Sequence, residues 1–142
     1  MPIQVFNDAI VDSIEEPKTI NSVTDRGLYI ELLISGPQTA ETIHSANLRL
    51  EAMAADFTAK NKPLLVLAAM ENISSGFNLG AFKESLKPAD TIKFNRFAIT
   101  GELPRTMMSI ITNVVNSFEH SFDVKYFSDK DQAIAWLKDY KP

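Results

Sequence analysis

The sequence predicts one α/β domain: a β-hairpin, then helices and strands in alternation, giving the order ββαβαβαβα and a mixed, mostly parallel sheet. Three observations carry this expectation. Leu64 to Met70 is an unbroken apolar run of strand length, the pattern of a central strand covered on both faces. Apolar residues between Ile43 and Phe57, and again between Met107 and Phe118, recur at intervals of three and four, the period of a helix. Turn chemistry at Asp25-Arg26-Gly27 separates two β-prone segments near the start. Strands separated by helices need crossover connections, and crossovers make neighbouring strands parallel.

Composition agrees with a folded domain and narrows its partners. A chain of 142 residues can bury roughly 68–70% of its unfolded surface, enough for one core. Hydrophobic residues make up 45% and charged residues 23%, far from the composition of disordered chains. The net charge is −4 and the basic residues form no run, so the electrostatic footprint for nucleic acid is missing. The absence of cysteine removes disulfides, thiol nucleophiles and thiolate metal sites together. No basic segment precedes an apolar stretch at Met1 to Asp8, and no apolar run is long enough to span a bilayer. A cytoplasmic protein without a transmembrane segment is expected.

Taken in order, residues 1–18 fit neither the helical nor the strand period and are read as an extension of unassigned structure. The domain proper is expected over 19–142. Thr19 to Val23 and Leu28 to Ile34 form the hairpin, and Ser35-Gly36-Pro37 ends it. Ile43, Leu50, Met53 and Phe57, with Ala46 and Ala54, mark an amphipathic helix ending near Lys60. After Leu64 to Met70 comes a loop, Glu71 to Gly76, and a shorter helix carrying Phe77, Ala81, Phe82 and Leu86 that Pro88 is expected to stop. Phe94 to Thr100 reads as the next strand. Pro104 suits the first turn of a deeply buried helix with a stripe of Met107, Ile111, Val114 and Phe118. Asp123 to Phe127 is a short strand, and Ser128-Asp129-Lys130-Asp131 resembles a capping box opening a last helix with Ile134, Trp136, Leu137 and Tyr140.

From about Thr19 to Tyr140 the order of elements and several short words resemble the SpoIIAA-like family, relatives of the anti-sigma-factor antagonist (STAS) fold. The words are the strand Leu64 to Met70, Gly80-Ala81-Phe82 with Ser85-Leu86-Lys87, Phe97-Ala98-Ile99-Thr100-Gly101, Val124-Lys125-Tyr126-Phe127, and Gln132-Ala133-Ile134-Ala135-Trp136-Leu137. The resemblance implies a STAS-like domain and a non-enzymatic interaction module. In the antagonist branch the central strand leads into an Asp-Ser-Ser-Gly turn whose second serine a partner kinase phosphorylates. Here the turn is Ile73-Ser74-Ser75-Gly76, so the resemblance makes Ser75 the candidate phosphosite, with Ile73 in place of the aspartate. Gly76-Phe77 matches the aromatic after glycine that is common in the SpoIIAA-like branch.

The physics of that turn stands apart from the resemblance. Serines and glycine opening a helix present backbone N–H groups and a positive dipole end suited to an anion, and they are also ordinary N-cap and turn residues. The binding rim is expected at Glu71, Ser74, Ser75, Gly76 and Phe77, beside Gly101 and Glu102, because ligands in open α/β sheets bind beyond the carboxyl ends of strands. No metal and no cofactor is expected: His44 and His120 have no partner ligands at metal spacing, and no nucleotide-binding or hydrolase motif occurs. Met53, Met70, Met107 and Met108 read as core, with an adaptable apolar pocket as the alternative. Three functions follow. The first is docking of a protein partner through the loop 71–77 and its adjoining helix, a second copy of the chain included. The alternative is carriage or sensing of a small hydrophobic ligand, as the fold is similar to lipid-transfer domains of the Sec14 type. An enzyme using Glu71 or Glu102 ranks last, because no paired base or nucleophile is evident.

Overall fold

The computed structural model describes residues 18–73, 79–101, 108, 109, 112, 113, 116 and 122–142. Five strands form one sheet in the sequential order β1 (Ile20–Asp25), β2 (Ile30–Ser35), β3 (Leu65–Glu71), β4 (Arg96–Thr100) and β5 (Asp123–Phe127). β1 pairs antiparallel with β2, and every later pair is parallel. The helices with described bounds are α1 (Ala40–Ala59), α2 (Leu79–Leu86), the single turn α3 (Pro88–Thr91) and α4 (Lys130–Lys138). The mixed, mostly parallel sheet led by a hairpin is therefore present.

β3 is the middle strand, and its side chains divide between two cores as the apolar run requires. Val66, Ala68 and Met70 join Ile30, Leu32 and Ile34 under α1, which contributes Ile43, Leu50 and Phe57. Leu65 and Leu67 face the other way, with Ala98, against Ala133 and Leu137 of α4. That helix is fastened from its outer side too: Trp136 lies 5.5 Å from the Phe127 ring, and the Arg96 guanidinium sits 4.8 Å over the indole while donating to the Trp136 carbonyl.

Local chemistry explains where the elements stop. In the hairpin turn Gly27 has φ +85°, and its N–H donates to the Asp25 carboxylate at 2.7 Å. α1 ends in a Schellman motif: Asn61 takes φ +56° and donates to Thr58 O, and Lys62 donates to Phe57 O.

Three expectations need correction. The strand expected from Phe94 starts at Arg96, because Asn95 exchanges hydrogen bonds with the backbone of Leu64 (N–H to Leu64 O and Oδ1 from Leu64 N–H, both 2.8 Å) and Phe94 turns into the core. Pro88 ends α2 but opens a further turn, since a proline at the first helical position loses no intrahelical bond. Asp129, not Ser128, caps α4, accepting from the Asp131 N–H at 2.9 Å. The reciprocal capping box belongs to α1, where Thr39 and Thr42 each accept the other's N–H through a hydroxyl. Of the helix expected after Pro104, five residues are described; all are helical, Met108 is half-buried and the other four exposed, and the stripe at Met107, Ile111, Val114 and Phe118 lies outside the described residues.

A buried acid joins α1 to α2. The Glu84 side chain is 10% exposed, and both oxygens are engaged: Oε1 lies 2.8 Å from His44 Nδ1 and Oε2 2.7 Å from Lys87 Nζ. Its backbone carbonyl accepts from the buried Asn47 amide at 2.9 Å. The hydrogen bond from Lys87, then that from His44, hold the carboxyl below its ordinary value near 4.5, with burial opposing them.

Three outcomes are expected. Leu67→Asp places an unpaired carboxylate at a fully buried point of β3, a cost of several kcal/mol against the ~5–15 kcal/mol that holds a domain, so circular dichroism should show an unfolded chain. Trp136→Ala should cost about 2–3 kcal/mol in urea melts, below the ~3–5 kcal/mol of a fully buried site because the indole is half-buried. Glu84 is depressed in the folded state, so its stabilisation is complete above about pH 4.5 and disappears as pH falls through the lower folded value. Glu84→Gln should then melt earlier than wild type at neutral pH, with the two curves converging in acid.

Candidate functional site: the strand-end rim and the cavity beneath it

The parallel register brings the two expected rim segments together. Ala69 lies opposite Thr100, so the chain leaves β3 through Glu71 directly beside the exit from β4 at Gly101. The approach is so close that a Cβ at Gly101 would collide with the Met70 carbonyl, and Gly101 has φ +141°, a conformation open to glycine. The Tyr126 hydroxyl donates to the Gly101 carbonyl and holds the turn from the β5 side. Glu71 is exposed, and its carbonyl accepts from Gly36 N at 3.0 Å, which ties the β2 exit into the same edge.

Beyond Glu71 the backbone reverses at Asn72, φ +54°, and Ile73 turns back into the core at 2% exposure. The residue standing where the antagonist branch has aspartate is thus an apolar anchor, unable to offer a charge to the loop. Ser74, Ser75, Gly76, Phe77 and Glu102 lie outside the described residues; Glu71 and Gly101 are the rim residues whose placement is described. His44 is committed to Glu84, and His120 lies outside the described residues.

A polar cluster beside the rim escaped the sequence reading. The Gln38 amide, 1% exposed, exchanges two hydrogen bonds with the Asn21 amide, at 2.8 and 2.9 Å. It also donates to the carbonyls of Ser35 and Gly36 and accepts from the Thr42 hydroxyl. Asn21 in turn accepts from the Ser35 N–H. The Gln38 amide is thus bonded through both its oxygen and its nitrogen, which fixes the edge on which the rim stands.

The second feature is an apolar cavity of about 110 Å³ on the α1 face of the sheet. One face of the sheet supplies Leu32, Ile34, Ala68, Met70, Ile99 and Val124, and α1 supplies Ile43, Asn47 and Leu50. Phe82, Ser85 and Leu86 of α2 close the side that follows the rim loop. Phe94, Phe97 and Phe122 complete it as an aromatic cluster, with ring centroids 5.1, 5.3 and 6.3 Å apart. Met70 does line it, as the alternative reading of the methionines allows, whereas Met53 packs half-buried on the core. The phenylalanines line it more fully: Phe97 lies in β4, Phe94 just before β4 and Phe122 just before β5, so the three meet only when the sheet forms.

Among the described residues no helix is long and apolar enough to cross a membrane. No curated protein matches the chain. The profile of the SpoIIAA-like family matches residues 29–138, a span running from the start of β2 to the end of α4. By that match, and by the mostly parallel, hairpin-led sheet of five described strands, the chain belongs to the SpoIIAA-like family and carries its STAS-like fold.

Proposed function

We propose that this chain is a non-enzymatic interaction module of the cytoplasm that docks a protein partner through the loop 71–77 and the adjoining α2. One observation supports it above the rest: the exits of β3 and β4 stand abreast, locked by Gly101 on the Met70 carbonyl and by the inward turn of Ile73. Such an edge presents a loop on a rigid base, the arrangement by which folds commonly display binding residues. SpoIIAA-like and STAS domains are in general non-enzymatic interaction folds, which supports the same reading. Ser74, Ser75, Gly76, Phe77 and Glu102 complete the proposed surface with Glu71 and Gly101, and Ser75 is the proposed site of phosphorylation.

The cavity favours a second reading, in which the domain carries or senses a small hydrophobic molecule. The two readings share a wall, since α2 both follows the proposed docking loop and lines the cavity.

Proximity labelling in the host tests the first reading. A partner captured by the wild-type chain should be lost with Ser74→Ala, Ser75→Ala and Phe77→Ala combined, and recovery of the same proteins by both chains would overturn it. Ser75→Asp, which adds a negative charge to the rim, should alter capture of that partner. It should shift stability by no more than the ~0.5 kcal/mol typical of surface substitutions.

A further inference from the structure

We infer that the ligand of the cavity is a small uncharged hydrophobe of about one ring, and not a fatty acid or an isoprenoid. This rests on the second reading above and names its ligand class. Volume decides first. A dry cavity of roughly 150 Å³ lined by aliphatic and aromatic side chains takes up benzene, whereas sites for drug-sized molecules run to ~300–1,000 Å³. At about 110 Å³ the space beneath the rim is of the first class in size, partly open to solvent and too small to enclose an acyl chain of a dozen carbons.

Polarity decides second. No described lining residue is charged, and the two polar ones each donate to a backbone carbonyl. The Asn47 amide donates to Glu84 O at 2.9 Å and the Ser85 hydroxyl to Phe82 O at 2.6 Å. The nearby cation Lys87 is held by the Glu84 carboxylate at 2.7 Å. A carboxylate or phosphate head entering here would lose its water and gain no cation, a cost that small apolar burial does not offset. Shape decides third. Phe94 meets Phe97 edge-on at 76°, so the cluster offers both faces and edges of rings to an incoming ring, the geometry aromatic pairs favour.

The placement gives occupancy a consequence. Phe82 and Ser85 belong to α2, so a molecule in the cavity supports the helix on which the proposed docking loop ends.

The test uses the full chain in solution, titrated with benzene, with dodecanoic acid and with farnesol, followed by methyl and aromatic NMR shifts. Benzene should bind with shifts centred on Ile34, Ile99 and Phe97, while the two long-chain probes leave those signals unmoved. Ala68→Leu fills the cavity and should weaken benzene binding at least ~10-fold, equivalent to 1.4 kcal/mol. If that variant does not fold, Ala89→Leu at the half-buried edge of the cavity serves in its place. Uptake of dodecanoic acid or farnesol at the same signals overturns the size limit while leaving the carrier reading intact. No uptake of any probe overturns both. Benzene binding that neither leucine variant weakens places the molecule elsewhere and overturns the inference.

Discussion

Everything in this domain depends on β3 being buried from both sides. An all-apolar strand in water has no stable face to expose, so it recruits cover above and below at once. α1 answers on one side through Ile43, Leu50 and Phe57, and α4 on the other through Ala133 and Leu137. The parallel neighbours β2 and β4 follow from the same demand, because connections long enough to carry a covering helix return the chain in the same direction. The rim exists because those connections leave from one edge of the sheet.

Among the described residues, buried polar side chains are few, and three of them tie elements together: Glu31, Glu84 and Gln38. Glu31, on the α4 face of β2, receives Arg26 and Lys130, each at 3.2 Å, and so links the hairpin turn to the first turn of α4. Glu84 does the equivalent on the other face by joining α1, α2 and α3. An ion pair left half-made inside a protein is strongly unfavourable, so these acids fix how the helices sit more than how strongly they are held. Gln38 plays the neutral version of the part, its amide paired with Asn21 like two halves of one clasp.

The fold was legible because its signals are local and redundant. The run at Leu64 to Met70, the three-four spacing of α1 and the Asp-Arg-Gly turn each specify one element without knowledge of the rest. Boundaries were less legible where a distant partner decides them. Asn95 delays β4 by bonding across to Leu64, and nothing within the strand's own sequence announces that exchange. The capping of α1 was missed because a threonine hydroxyl at the third position replaces the acid usually sought there. For the site, the adjacency of Glu71 and Gly101 followed from strand order alone, while the cavity did not. Its walls come from β2 through β5, α1, α2 and α3, and the void is defined by what those surfaces fail to fill, which no single segment encodes.

The position of α4 in the chain carries a consequence for how the protein is made. α4 is the described cover of the second face, and it follows every other described element in the chain. Until it arrives, a nascent chain that has already assembled β2, β3 and β4 displays Leu65, Leu67 and Ala98 to its surroundings, a flat apolar surface bordered by strands. Surfaces of that kind attract one another and engage chaperones. The time between synthesis of β4 and synthesis of α4 is therefore the interval in which this domain is most prone to aggregate.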